Sequence, residues 1–228
     1  MKKLCVAVYV VMLSVLTSCM AGRYNDLAPD APSNGQQGAE NNFGNVIVTI
    51  KQAEDGTVFF QLSDTERLYP GPGYPFERQC RAMGDVSFPG GSDPVYGRNV
   101  SVGWLEPLEE GTFMPYPAEV SGEDGIDIIT GSWITSCEDG YLTLHYRTWW
   151  GEHPTHHIFS LVQGEDPYEL TLRHNSNEDA RDIYSEGIIY FDINSLPRTE
   201  DGPHALKLNW INSSGTAVSA EFEFESRT

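Results

Sequence analysis

Basic residues are scarce in this chain. Of 228 residues, Lys and Arg supply 14 against 33 from Asp and Glu, a formal charge of −19 at pH 7 with His neutral. Nucleic-acid backbones are bound by neutralising phosphates with cations, so this balance argues against DNA or RNA as a partner. Cysteine is scarcer still, and four Cys do not make a disulfide scaffold at this length. The apolar run that opens the chain, Leu4 to Leu16, is 13 residues long, and a membrane-spanning helix needs about 20. Beyond it no stretch has a convincing helical period. What is present is 39% hydrophobic and 11% aromatic residues. That is enough to build a packed core, and it argues against wholesale disorder.

The N-terminus has the layout of a targeting segment. Lys2 and Lys3 precede the apolar run, which has the length of a signal-peptide core. The run ends in Leu16-Thr17-Ser18-Cys19. This resembles the lipobox of bacterial lipoproteins: an aliphatic residue, two small residues and the Cys that becomes lipidated. The alternative is an ordinary secretory signal that ends near a Cys. By resemblance, Cys19 carries a thioether-linked diacylglycerol and an acylated amine, which anchor the chain to the bacterial outer membrane. Several acyl chains hold far more firmly than one. Cleavage after residue 18 leaves 228 − 18 = 210 residues and a charge of (14 − 2) − 33 = −21. An anionic membrane surface repels such a body, so the lipid has to hold it there without a basic patch. Residues 19–44, rich in Gly, Pro, Asn and Gln without apolar periodicity, read as a flexible tether.

The rest reads as strands. Val46 to Ile50 is β-branched, Asp55-Gly56 is a turn, and Thr57 to Leu62 completes a hairpin. Leu68-Tyr69, Gln79 to Phe88 and Val100 to Leu105 follow. In the second of these, Cys80, Ala82, Val86 and Phe88 share one parity, and Gln79, Arg81, Asp85 and Ser87 share the other. Five strands without a helix in residues 45–108 fit a small OB-like barrel. From 109 to 228 the strands are longer. Tyr141 to Trp149, His157 to Val162, Tyr168 to Arg173, Gly187 to Ile193, Leu206 to Trp210 and the alternation around Phe222 and Phe224 predict an antiparallel β-sandwich. The fold class is therefore all-β, a barrel followed by a sandwich.

Several blocks resemble the NigD-like lipoprotein family. They are Val48-Thr49-Ile50-Lys51-Gln52, Gly56 to Leu62, Gly140 to Arg147, His157 to Val162, Leu170-Thr171-Leu172-Arg173-His174-Asn175-Ser176-Asn177 and Ile189 to Ile193. They fall in order and span nearly all of the chain after the signal; the Leu-Arg-His-Asn block is the most specific. The resemblance implies an N-terminal OB-like domain, a C-terminal β-sandwich, and neither catalytic residues nor a cofactor. The family name comes from a bacteriocin locus, which suggests an immunity role by association. Pro89 to Arg98 looks like an insertion in the barrel, and Trp149-Trp150-Gly151-Glu152-His153 is unusually aromatic.

Candidate chemistry is thin. His153, His156 and His157 cluster, but adjacent residues on a strand face opposite ways, so only one of the last two joins His153 easily; zinc needs three or four converging ligands. Asn175 to Asp179, with Glu186 beyond, partly matches a calcium loop. Asn stands at its first position and Ala180 where the turning Gly belongs, so an Asx-rich connection is the plainer reading. No G-x-S-x-G elbow or Ser, His and Asp set is present. Trp149 and Trp150 suit a sugar or a partner, or one core and one edge position. Cys80 takes the core parity and Cys137 precedes a polar turn in the other domain, so they are expected as free thiols rather than a bridge. In residues 45–108 the bases Lys51, Arg67, Arg78, Arg81 and Arg98 are scattered among eight acids, 5 − 8 = −3, which argues against nucleic acid in an OB-like domain. The expectation is a lipid-anchored envelope protein, without metal or cofactor, that binds a protein or glycan partner. The rival readings are a bacteriocin-immunity lipoprotein, a glycan-binding accessory protein and, against the missing motifs, an enzyme.

Overall fold

The structure, a computed structural model, describes residues 43–227; the signal segment, Cys19 and the tether as far as residue 42 lie outside them. All regular elements among the described residues are strands. The first sheet takes β1 (Phe43–Gln52), β2 (Val58–Gln61), β3 (Arg67–Tyr69), β4 (Cys80–Ser87), β5 (Ser92–Asp93), β6 (Gly97–Asn99) and β7 (Ser101–Pro107). Their order is β5-β6-β3-β2-β1-β4-β7. The β1–β2 hairpin turns where expected: Gly56 takes a φ of 88°, and Asp55 Oδ1 accepts a hydrogen bond from the Thr57 N–H at 2.9 Å. Val46, Val48, Val58, Phe60, Leu68, Val86 and Val100 form a core on one face.

This sheet departs from a five-stranded barrel. It has seven strands, and no ladder joins β5 to β7 among the described residues. The inserted segment explains the departure. Residues 89–98 supply β5 and the start of β6, which pairs parallel to β3 and extends the edge where a barrel would close.

The remaining strands are β8 (Glu109–Glu110), β9 (Thr112–Met114), β10 (Asp127–Ile128), β11 (Ser136–Glu138), β12 (Tyr141–Trp150), β13 (Ile158–Gln163), β14 (Glu169–Asn175), β15 (Ile183–Asp192), β16 (His204–Ile211) and β17 (Ala217–Phe224). They make two five-stranded sheets. One is ordered β10-β12-β15-β8 with β11 also on β12; the other is β17-β16-β14-β13-β9. Leu142, Leu144, Ile189 and Phe191 from one meet Phe159, Leu161, Leu170, Leu172, Leu206, Leu208 and Trp210 from the other. Gly187 sits where any Cβ would lie 2.5 Å from the Tyr146 ring, so that ring packs directly on the β15 backbone.

The sandwich is mixed rather than purely antiparallel. β8 runs parallel to β15, β9 to β13 and β14 to β16. The cause is in the chain path. β14 and β16 are separated by β15, which lies in the opposite sheet, so the chain returns to its first sheet running in its original direction.

The second face of the first sheet packs on the turn between β11 and β12. Lys51 Nζ meets Asp139 Oδ1 at 2.5 Å, the Asp139 N–H donates to Asp64 Oδ1 at 2.6 Å, and Gln79 Nε2 donates to Tyr141 Oη at 2.8 Å. Arg81, on the polar parity of β4, is fully buried here. It donates to Thr49 Oγ1 at 3.2 Å and lies 3.9 Å from Glu138. Burial pulls its pKa down against the nearby Glu138 and Asp139 charges.

Candidate functional site

The residues the sequence singled out form a latch. His153 and His156 are exposed, while His157 is buried. His157 Nε2 lies 3.1 Å from Asp179 Oδ2, and its Nδ1 lies 3.0 Å from His174 Nε2. The His157 ring stacks on Trp150 at 4.0 Å and the His174 ring on Phe159 at 4.8 Å. Asp179 Oδ2 also accepts the Gly151 N–H at 3.0 Å. Burial opposes ionisation of Asp179, yet these bonds hold its carboxyl below the usual range. His174 is pushed down to about 4, by burial first and then by His157; the carbonyls of Asp124 and Gly125 oppose the shift without meeting hydrogen-bond geometry.

Of the residues compared with a calcium loop, Asn175 to Asp179 adjoin this latch and Glu186 does not. Asn175 Oδ1 accepts the Asn177 N–H at 2.8 Å, an Asx turn, and Asn177 and Glu178 both take positive φ. Asp182 accepts the Glu152 N–H at 3.1 Å. Glu186 is up on β15, where it accepts from Arg147 Nε at 2.8 Å and faces His145 Nε2 at 3.0 Å. Asp179 and Asp182 tie the 151–157 connection to the 176–182 connection. Among the described residues, no group of three or more His, Cys, Asp or Glu could hold a metal ion.

The two tryptophans divide. Trp150 packs against the sandwich core through His157, while Trp149 is 37% exposed on the outer face, 5.0 Å from Tyr184. Cys80 is buried in the first sheet and Cys137 half-buried on β11; both are free thiols. Burial raises both pKa values.

A second feature lies where β14 and β16 part, and the sequence reading missed it. Their parallel ladder covers only Glu169–Thr171 against Lys207–Asn209. Beyond it, residues 122–126 cross the opening. The Asp124 N–H donates to the His174 carbonyl at 3.0 Å and the Ile126 N–H to the Ile211 carbonyl at 3.0 Å. Gly122, at φ 131°, comes so near the chain that a Cβ would lie 2.9 Å from the His174 oxygen. Between these walls is a crevice of about 430 Å³, within the about 300–1,000 Å³ of small-molecule sites.

Alternation gives the crevice two kinds of wall. Leu172, Trp210 and Val218 come from the apolar parity, and Thr171, Arg173, Lys207, Asn209 and Ser219 from the polar one. Arg173 Nη1 donates to Glu123 Oε1 at 2.9 Å, and Lys207 Nζ to Glu169 Oε1 at 2.8 Å. Asp124 Oδ2 accepts both the N–H and the hydroxyl of Ser176 at 2.8 Å, which hold its carboxyl below the usual range against burial. Trp210 is 7% exposed, yet its indole Nε1 has no hydrogen-bond partner. A buried donor left unmade costs on the order of 1–3 kcal/mol, so it calls for an explanation. The signal in the sequence is a Trp on the core parity of a strand whose other parity carries Lys207 and Asn209.

Comparisons with known proteins bear on the sandwich sequence and on the fold of most of the chain. The family model of the NigD-like C-terminal β-sandwich domain matches residues 112–224. A search of curated proteins finds no match. Among solved structures, a protein provisionally named toxin-related, from Parabacteroides distasonis, superposes with a TM-score of 0.66 at 22% identity, covering 81% of this chain and 94% of that one. A NigD-like immunity protein from Bacteroides caccae gives 0.53 at 17% identity, over 78% and 91%. A protein provisionally named a lipoprotein, from Bacteroides fragilis, gives 0.54 at 13% identity, over 81% and 99%. At these identities the structures speak to the fold, while the family model speaks to the sandwich sequence. Residues 112–224 are a NigD-like C-terminal β-sandwich domain.

Proposed function

We propose that this protein is an outer-membrane lipoprotein, anchored through Cys19, that acts as a non-enzymatic binding module. The binding role is carried by one observation: a crevice of binding-site size lined by a buried Trp210 whose indole N–H has no partner. The anchor rests on Leu16-Thr17-Ser18-Cys19 after the apolar run, and the likeness to a protein provisionally named a lipoprotein supports it. A body at −21 needs that anchor to stay at an anionic surface. Cys19→Ser should move the protein from the membrane fraction to the soluble one; equal retention of the variant contradicts the anchor. Capture from envelope extracts with the full lipidated chain tests the binding role, which stands if a specific partner is retained and falls if none is.

A second reading is supported by the name of one structural relative, a NigD-like immunity protein. On this reading the module intercepts a bacteriocin at the envelope. Expression in a sensitive strain should then confer survival on exposure to the toxin encoded beside its gene, and unchanged killing speaks against it.

A further inference from the structure

We propose that the crevice between β14 and β16 is a carbohydrate site. This rests on the reading above that the crevice is where the module binds. The first support is charge. The molecule is strongly acidic, and its field repels anions. At the crevice the charges nearly cancel: Arg173 and Lys207 of the lining meet Glu123, Asp124 and the adjoining Glu169, 2 − 3 = −1. Arg173 is paired with Glu123, and Lys207 with Glu169 on the neighbouring strand. A neutral ligand fits this balance better than a phosphate, a carboxylate or a basic peptide.

The second support is the kind of polar group on the walls. Thr171 and Ser219 bring hydroxyls that both donate and accept. The planar Arg173 guanidinium keeps several N–H groups beyond the one given to Glu123. Such a set matches adjacent hydroxyls on a sugar ring, each of which is donor and acceptor at once. The third support is the apolar wall. A sugar presents C–H faces as well as hydroxyls, and Leu172, Val218 and the Trp210 ring offer apolar surface to them. On this proposal the indole beneath the crevice shifts on binding and brings Nε1, closed off and without an acceptor in this structure, to a ligand hydroxyl oxygen. Trp210 is 93% buried, so water reaches that N–H poorly, and a bound acceptor gains more there than at an exposed site.

The site differs from the aromatic pair that the sequence first suggests for sugar binding. Trp149 and Tyr184 lie on the outer face of the opposite sheet, and Tyr184 Oη is engaged with Asp127. That placement separates the two candidates experimentally.

The test titrates the full chain in detergent with neutral gluco-, manno-, galacto- and xylo-oligosaccharides, and with oligogalacturonate as an anionic probe. Calorimetry gives Kd, and the Trp210 indole N–H resonance, assigned through Trp210→Phe, reports the site. At least one neutral oligosaccharide should bind and move that resonance. Trp210→Phe should weaken it about tenfold or more, and so should Arg173→Ala, which changes a half-buried rim residue and spares the core. Trp149→Ala should leave Kd within about twofold. The proposal is overturned if no neutral member binds at millimolar concentration, if oligogalacturonate binds more tightly than all of them, or if Trp149→Ala rather than the crevice variants abolishes binding. A captured envelope protein whose binding ignores both crevice variants overturns the carbohydrate site while leaving the binding-module reading in place.

Discussion

The latch at Asp179 and the crevice at Trp210 lie on either side of His174 and are built by opposite rules. In the latch, polar groups answer one another, Asp179 with Gly151 and His157, and His157 with His174, and only His174 Nδ1 is left without a partner. In the crevice, a buried indole N–H answers nothing. Well-paired polar networks rigidify a fold, whereas a buried group without a partner calls for an explanation, as do Arg81 Nε and Nη2, Asp139 Oδ2 and Thr143 Oγ1 elsewhere. Chemistry-rich residue types drew attention to the latch, where they bond one another. The crevice is made from residues that read as ordinary strand positions.

Substitutions should widen this contrast, and the largest effect belongs to the latch. Asp179→Ala leaves the Gly151 N–H and His157 without their acceptor in a buried site, with the carboxylate 3% exposed. It should cost about 3–5 kcal/mol in urea unfolding, because two buried donors each lose a hydrogen bond to a carboxylate. A loss under about 1 kcal/mol would mean that the latch is ornamental. Next comes pH. His174 falls from 6.5 to about 4 on folding. Its unfolded form therefore binds the proton more readily than its folded form, so stability is fully present above pH 6.5 and declines as pH falls towards 4. The whole window is worth on the order of 3 kcal/mol. His174→Gln should flatten the slope of stability against pH between those values.

Gly187→Val tests the sandwich core between the two features. The new side chain meets the Tyr146 ring, and overpacking of this kind should cost about 1–3 kcal/mol. Trp210→Phe should be milder, about 1 kcal/mol, because lost packing is offset by removing a buried N–H that has no acceptor. The smallest effect is expected from calcium. Millimolar CaCl2 should leave the melting temperature unchanged, because the loop's Asn175, Asp179, Asp182 and Glu186 oxygens are engaged within the protein. A clear rise, lost in Asp182→Ala, would reinstate a cation site.

Much of the fold was legible because strand periodicity is local. The alternation of Leu206, Leu208 and Trp210 with Lys207 and Asn209 is the β16 seen in the structure, and the opposite exposure of His156 and His157 follows from adjacency alone. What parity does not carry is which element covers a face. Arg81 takes the polar parity of β4 yet is buried, because the turn Glu138-Asp139-Gly140 of a distant segment covers it. Parallel pairing was likewise hidden, since it depends on which sheet receives each strand. The crevice was hidden for the same reason: it exists because β14 and β16 separate after three paired residues, and nothing in either strand's own sequence marks that point. Trp210 counted as apolar by parity, which conceals its N–H.

The central claim is that the binding surface lies at Trp210 and not at the aromatic pair beside the latch. The indole N–H spectrum of the full chain, recorded while the oligosaccharide panel is added, tests it most directly. The account predicts that the Trp210 resonance moves with increasing ligand while that of Trp149 stays in place. Movement of the Trp149 resonance with Trp210 unchanged would contradict it.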